Sequence, residues 1–241
     1  MTSGGAEMFA RYAYAPNRLG YCGPPDAAAL RDGSDDEVRA LARHFTGAWP
    51  YLRAMATMTG IADPLDRRLV ESYWLGGGIG VDLDPAEFTA ELLALLGPAA
   101  GGYWTHLGPE LADEAAANHC FHVFGVYPWS RLVGQGNGHP VHVLDSCRIT
   151  WGTVLDSTET EIALRCRGLS WDGRRLGLSA ETVRSVPVGV DGYPAAPVSA
   201  GDQVALHWGR LCGQLDDAQV RALAASTERQ LEVTNRRLAT R

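Results

Sequence analysis

The chain changes its hydrophobic periodicity past its middle, and that change limits the folds that are open to it. In the first part, apolar residues recur at helical spacing, as in Val38, Leu41 and Phe45. From Cys147 onward, apolar and polar residues alternate, first in CRITWGTV and later in GDQVALHWG at residues 201–209. Recurrence every three to four residues is typical of amphipathic helices, and strict alternation is typical of half-buried strands. The sequence therefore predicts an α+β protein in which a strand begins at Cys147.

Turn and capping signals divide the chain into two predicted domains. The segment Arg131 to His142 is rich in glycine and predicts a loop, so we place the boundary there and expect domains at 1–140 and 141–241. The first domain is predicted to be helical, and Ser34 with a glutamate three residues later has the spacing of a capping box. Five short strands and a terminal helix in the second domain are typical of a small OB-like β-barrel with a C-terminal helix.

Several local signals refine this outline. Pro16 argues against a long helix near the N-terminus, and Asp26 is predicted to cap a short helix. The stretch Gly97 to Gly102 is predicted to be a linker or a helix C-cap. In the barrel, Gly152 lies inside a strand and indicates a close backbone approach, and Cys166 lies on the apolar face of the next strand. The next hairpin has its predicted tip at an Asp-Gly pair, residues 172 and 173.

Composition argues against some classes of partner. A formal net charge of -7 and a pI near 5.5 do not fit a nucleic-acid-binding face or an anionic membrane surface. No apolar run approaches the ~20 residues of a spanning helix, and the start MTSGGAEMFARY lacks the features of a signal peptide. Five widely spaced cysteines fit a reducing compartment. We therefore expect a cytoplasmic protein without nucleic-acid or membrane partners, and the excess of arginine over lysine suggests a bacterial source.

Two short motifs in the second domain carry a family resemblance. The first is a cysteine followed by an aliphatic residue, a glycine and a valine, and the second is the pattern G-D-x-V-x-x-H-x-G. The residues that fill the two motifs are Cys147, Ile149, Gly152 and Val154, then Gly201, Asp202, Val204, His207 and Gly209. With these motifs and the amphipathic helix that follows them, this part of the chain resembles the HypC/HupF family of [NiFe] hydrogenase maturation chaperones.

The resemblance implies a metal-site assembly factor rather than an enzyme. In that interpretation Cys147 and His207 bind the cofactor, which is iron, carried as a fragment with cyanide and carbonyl ligands, and hand it over. The implied partner is a protein, either a hydrogenase large subunit or another maturation factor. The sequence leaves open a plainer hypothesis, in which the second domain has kept the shape of the family and serves only as an interaction module.

The helical domain offers a second set of candidates. On a helix, His119 and His122 share a face and could bind one metal ion, whereas on a strand Cys120 and His122 would share one. Cys22 precedes a Gly-Pro pair, which would hold its thiol on a fixed loop. No glutamate stands in HExxH spacing, so a zinc-protease interpretation fails. The alternative prediction is therefore a metal-dependent or Cys/His enzyme, with Cys22, His119 and His122 as ligands, that makes or transfers a small ligand for the same cofactor. A buried aromatic segment with hydrogen-bonded histidines is the structural alternative.

Overall fold

A computed structural model of the chain describes two compact units, Met1–Pro128 and Trp129–Arg241. The predicted boundary after residue 140 lies inside the second of them. The predicted cap at Asp26 and the predicted linker from Gly97 to Gly102 lie outside the described residues. The described residues are 4–25, 27–96, 107–136, 138–189 and 197–240.

The first unit is helical, as the sequence predicts. Its α-helices are α1 (Gly5–Arg18), α2 (Ala29–Asp32), α3 (Asp35–Ala42), α4 (Ala48–Thr59), α5 (Arg67–Leu75), α6 (Pro85–Leu96) and α7 (His119–Phe121). Short 3-10 segments lie at Gly78–Asp82 and Pro109–Asp113, and a π-helical turn at His122–Val126 follows α7 directly.

The capping prediction for α3 is confirmed, and the prediction for α1 is wrong. The Ser34 hydroxyl accepts a hydrogen bond from the Glu37 N–H, and the Glu37 carboxylate accepts one from the Ser34 N–H, which completes the capping box. Helix α1 continues through Pro16 to Arg18. A proline in the last turn removes a single N–H donor, and the residues before it are already helical, so the helix tolerates it there.

The core of the first unit is built from aromatic rings around Tyr51, which is fully buried. Its ring centroid lies 5.3 Å from that of Tyr73, 5.7 Å from that of Phe88 and 6.3 Å from that of Phe121. Tilted and edge-on arrangements at these distances are the favoured geometries of aromatic pairs. Helices α4, α5, α6 and α7 therefore pack through one continuous aromatic cluster.

At the start of the second unit, a 3-10 segment at Pro128–Leu132 is followed by a helix where the sequence predicts the end of a loop and the start of a strand. Helix α8 (His139–Cys147) starts with Pro140 in its first turn, where the ring of proline is compatible with helical geometry. Cys147 is the last residue of this helix, and the first strand starts only at Thr150. The prediction that Cys147 opens a strand is therefore wrong.

Five antiparallel strands follow α8 in the order β3-β2-β1-β4-β5. Their bounds are β1 (Thr150–Ser157), β2 (Glu161–Trp171), β3 (Leu176–Pro187), β4 (Gln203–His207) and β5 (Arg210–Leu215). The α+β class is confirmed, but the sheet is open: within the described ranges no hydrogen-bonded pairing joins β3 to β5 to close a barrel. The core of the sheet contains Cys166, as predicted, together with Val154, Ile162, Leu164, Val186, Val204 and Leu206.

A buried ion pair attaches the end of α8 to the sheet. Arg148 is only 1% exposed, and its Nη2 donates to Asp145 Oδ1 at 2.9 Å and to the Arg167 carbonyl at 2.6 Å. The same carboxylate accepts the backbone N–H of Leu169 at 2.8 Å and pairs with Arg184 Nη2 at 3.2 Å. Breaking a buried pair by removing one partner typically costs about 3–5 kcal/mol, because the other charge is left unpaired. The end of α8 is therefore fixed against β2 and β3.

The last helix, α9 (Asp217–Ala239), is held at both ends. Asp216 forms a capping box with Gln219 at its start. Near its end, the Asn235 side chain donates to the Leu176 carbonyl at 2.9 Å and accepts from the Leu176 N–H at 2.8 Å. No helix in the described part of the chain is long and apolar enough to cross a membrane.

The close backbone approach at Gly152 gives a first prediction. A Cβ atom on Gly152 would lie 2.7 Å from the Arg165 carbonyl oxygen and 2.9 Å from Cys166 Cβ, and Gly152 pairs with strands on both sides. Gly152→Ala should therefore lower the free energy of unfolding by about 1–3 kcal/mol in urea titrations. Gly177→Ala is the matched control, because its nearest atom would be Ser170 Oγ at 4.0 Å. Equal effects of the two substitutions would contradict the prediction.

Candidate functional site

The end of α8 and the turn after β4 bring Cys147 and His207 together in the second unit. Cys147 is the last residue of α8, and His207 is the last residue of β4. The backbone N–H of Trp208 donates to the Ser146 carbonyl at 2.9 Å, which joins the turn to the helix end. Cys147 and His207 belong to a group of side chains that could hold a metal ion, and their ligand atoms lie within 4.8 Å of each other. The two residues that the motifs single out therefore do meet.

Both groups of the pair are removed from water. His207 is 1% exposed, whereas Cys147 as a whole residue is partly exposed. Burial of the sulfur raises the pKa of the Cys147 thiol to about 12. The metal-free thiol is therefore protonated at neutral pH. A metal ion that binds it must displace the proton, and its positive charge then compensates the buried thiolate.

Arg148, which follows Cys147, does not offset the rise in the pKa of the thiol. Its guanidinium donates to Asp145 and to the Arg167 carbonyl. The Arg148 side chain is therefore engaged in an ion pair at the helix end. The pKa of Cys166, in the sheet core, is also raised by burial, and there Arg184 and Arg148 act in the opposite direction.

His119 and His122 lie on one face in the first unit, as their helical spacing predicts. Their rings stack at 5.8 Å with an interplanar angle of 26°. His119 Nδ1 lies 3.1 Å from the Tyr73 hydroxyl, and its ring centroid lies 4.7 Å from that of Trp74. His119 is thus a hydrogen-bonded histidine within the aromatic core.

His122 has a different environment from His119. It is the first residue of the π-helical turn, and in the described structure neither its Nδ1 nor the nearby Tyr51 hydroxyl has a hydrogen-bond partner. The two rings meet edge to face at 5.5 Å. Burial lowers the pKa of His122 to about 4, so the imidazole is neutral at physiological pH. Single π-helical turns occur frequently at functional sites, and buried polar groups without partners are rare.

Cys22 lies in the segment between α1 and α2. Its carbonyl accepts a hydrogen bond from Asn17 Nδ2 at 2.9 Å, and the residue is partly exposed. Among the residues that the structure describes, Cys22, His119 and His122 do not form a common group of metal ligands.

Trp208 and Asp145 belong to the surroundings of the site, and sequence reasoning did not single them out. Trp208 stands inside the second motif, directly before Gly209, at a position where a tight turn favours glycine or asparagine. A bulky residue at that position is the signal that could have identified it. For Asp145 the only local signal is Arg148 at i+3, because its other partners, on β2 and β3, are distant in sequence.

The fold and the site define an α+β protein with a buried thiol–imidazole pair between a helix end and a β-hairpin turn. The chain belongs to a family of unknown function, DUF6390, whose model matches residues 1–241. No curated protein and no solved structure matches the chain.

The buried His122 imidazole predicts a loss of stability in acid. Its pKa is about 4 in the folded protein against an ordinary value of 6.5, so below pH 6.5 the unfolded chain binds a proton that the folded protein does not. The neutral His122 therefore contributes to stability in full above pH 6.5. As the pH falls from 6.5 towards 4, the free energy of unfolding decreases by up to roughly 3 kcal/mol. In His122→Gln, urea unfolding should show a smaller difference in free energy between pH 6.5 and 4.

Tyr51→Phe is the matched control for this measurement. It removes the neighbouring hydroxyl that has no partner, and burial raises the pKa of Tyr51 well above its ordinary value, far from the acid range. The pH dependence of Tyr51→Phe should therefore follow the wild type. An NMR titration that places the His122 ring near its ordinary pKa would contradict the assignment.

Proposed function

We propose that the protein is a metal-site assembly factor that carries an iron fragment on Cys147 and His207 and hands it to a protein partner. The observation that carries this proposal is the meeting of a thiol and an imidazole from two motifs far apart in sequence, with ligand atoms within 4.8 Å of each other. A thiolate with an imidazole is a ligand pair suited to soft and borderline metals such as iron. The resemblance of the two motifs to the HypC/HupF family supports the same interpretation.

An iron fragment that brings its own cyanide and carbonyl ligands leaves few coordination positions for the protein to fill. Cys147 and His207 offer a thiolate and an imidazole for such positions. In this proposal the partner is a hydrogenase large subunit or another maturation factor.

Anaerobic reconstitution with infrared spectroscopy tests the proposal. Wild-type protein, loaded with iron from a maturation system that supplies cyanide and carbon monoxide, should show cyanide and carbonyl stretching bands. Cys147→Ala and His207→Ala should each lose most of the band intensity, because each removes a proposed protein ligand. Metal analysis of the same samples should show iron falling in parallel.

Cys166→Ala is the matched control for this experiment. Cys166 is a buried free cysteine in the core of the same sheet and belongs to no group of potential ligands in the described ranges. Its substitution should leave the bands and the iron content near the wild-type level. Wild-type protein without bands, under conditions in which a known carrier shows them, would count against an iron fragment as the cargo.

A second candidate function concerns the first unit. The neutral, buried His122 packs against the Tyr51 ring, and within the described structure its Nδ1 and the Tyr51 hydroxyl lack hydrogen-bond partners, so polar atoms lie inside an apolar core. We infer from it an alternative in which the helical unit is a metal-dependent or Cys/His enzyme that makes or transfers a small ligand for the same cofactor. His119, His122 and Cys22 are its candidate residues. A neutral imidazole is competent as a ligand or as a base.

Metal analysis of purified variants separates the two functions. If the helical unit holds the metal, His119→Ala and His122→Ala should lose a stoichiometric metal that Cys147→Ala retains. If Cys147 and His207 hold it, Cys147→Ala should lose the metal and His122→Ala should retain it. Cys22→Ala decides whether that thiol takes part, because its loss affects metal content only in the first case.

A further inference from the structure

The second unit contains a groove that includes neither Cys147 nor His207. Its volume is about 840 Å³, and its walls come from the hairpin between β2 and β3, the last turns of α9 and residues 133–135. Sites for small molecules in proteins typically have volumes of about 300–1,000 Å³. The groove is therefore large enough for a ligand of that kind.

Hydrogen bonds fix the two main walls of the groove to each other. The Asn235 side chain, on α9, exchanges two hydrogen bonds with the backbone of Leu176 at the start of β3. The Asp172 carboxylate accepts the backbone N–H groups of Arg174 and Arg175 at 2.8 and 2.7 Å, which sets the conformation of the hairpin tip. The backbone of the tip and the end of the helix are therefore held side by side before any ligand binds.

Arginine side chains give the groove a positive charge in an acidic protein. Arg174, Arg175 and Arg236 line it together with one carboxylate, so three positive charges face one negative charge. That carboxylate, Glu232, is bound to Arg236 at 2.7 Å, whereas Arg174 and Arg175 have no ion-pair partner among the described residues. The whole chain has a formal net charge of -7. A local excess of arginine favours an anionic ligand, because guanidinium groups bind phosphate and carboxylate through paired hydrogen bonds.

An indole ring lies in the same groove. Trp171, at the end of β2, is partly buried and lines the groove together with the arginines of the tip. The Gly134 backbone lies close to this ring: a Cβ atom on Gly134 would be 3.4 Å from Trp171 Cζ2, and the φ of Gly134 is 82°, a value that favours glycine. Exposed arginines alone are common on protein surfaces. A tryptophan in the same groove adds a surface on which a planar ring can stack.

We propose that this groove binds a small organic anion that combines a planar ring with two or more negative charges, which is the chemistry of a nucleoside phosphate. The ring packs on Trp171, and the charged groups lie against the three arginines. An acidic segment of a protein would pair with the arginines but would leave the indole without a planar partner. The inference goes beyond the metal-carrying function and does not depend on it, because Cys147 and His207 do not line the groove.

Isothermal titration calorimetry with ATP as the probe tests the proposal. ATP should bind the wild type saturably at low ionic strength, and added salt should weaken the binding, because the contacts with arginine are charged. Tripolyphosphate keeps the charges and lacks the ring, and adenosine keeps the ring and lacks the charges. Each should bind more weakly than ATP by about tenfold or more. Wild-type protein that does not bind ATP would overturn the proposal.

Two variants assign the ring and the charges to their residues. Trp171→Leu keeps an apolar side chain and removes the indole, so it should weaken ATP binding about tenfold and leave the affinity for tripolyphosphate unchanged. The double variant Arg174→Gln, Arg175→Gln should weaken ATP and tripolyphosphate alike, by about tenfold or more. Both arginines are exposed, so the double variant decides the question if Trp171→Leu does not fold.

Arg165→Gln is the matched control. Arg165 is an exposed arginine of β2 in the same sheet and does not line the groove. Its substitution should leave the affinity for ATP at the wild-type level. Unchanged ATP affinity in the double variant, or an equal loss in Arg165→Gln, would overturn the proposal. A glutamate-rich peptide that binds more tightly than ATP would also overturn it, since that result assigns the groove to a protein partner.

Discussion

The buried ion pair between Asp145 and Arg148 is the interaction on which the position of the candidate site depends. Arg148 directly follows Cys147, and its guanidinium is 1% exposed and bound by Asp145. The same carboxylate accepts the Leu169 N–H, which ties the helix end to β2. On the other side, the turn is tied to the helix by the bond from Trp208 to the Ser146 carbonyl. Cys147 is thus held between two anchors, one charged and one backbone, and its sulfur has little freedom to leave His207.

The same ion pair explains where prediction from sequence succeeds and where it fails. The alternation after residue 150 correctly predicts β1, the close approach at Gly152 and the inward side of Cys166, because these depend on periodicity within a strand. The assignment of Cys147 to that strand fails because Asp145 and Arg148 pair at i, i+3, which is helical spacing, and their further partners lie on distant strands. A local pattern cannot show the long-range contacts of Asp145 with Leu169 and Arg184, and these contacts hold the helix end against the sheet.

In the candidate site, too, some features can be predicted from local sequence, and others depend on how the chain packs. The meeting of Cys147 and His207 follows from two motifs whose order and residue types are visible in the sequence. The pKa of the thiol and the hydrogen bond from the Trp208 backbone to the Ser146 carbonyl depend on how the helix end packs against the turn. In the first unit, the spacing of His119 and His122 predicts a shared face, whereas the low pKa of His122 arises from burial beside rings such as Tyr51 that come from other helices.

The electrostatics of Cys147 favour one kind of chemistry over another. A nucleophilic cysteine needs a lowered pKa, usually from a nearby cation or a helix N-terminus. Cys147 stands at the C-terminal end of α8, where the helix dipole is negative, and the neighbouring Arg148 is bound to Asp145. Burial raises the pKa of the thiol to about 12, far from the range of an attacking thiolate. A metal cation bound there would supply the positive charge that this environment lacks, which is the chemistry that the proposed function requires.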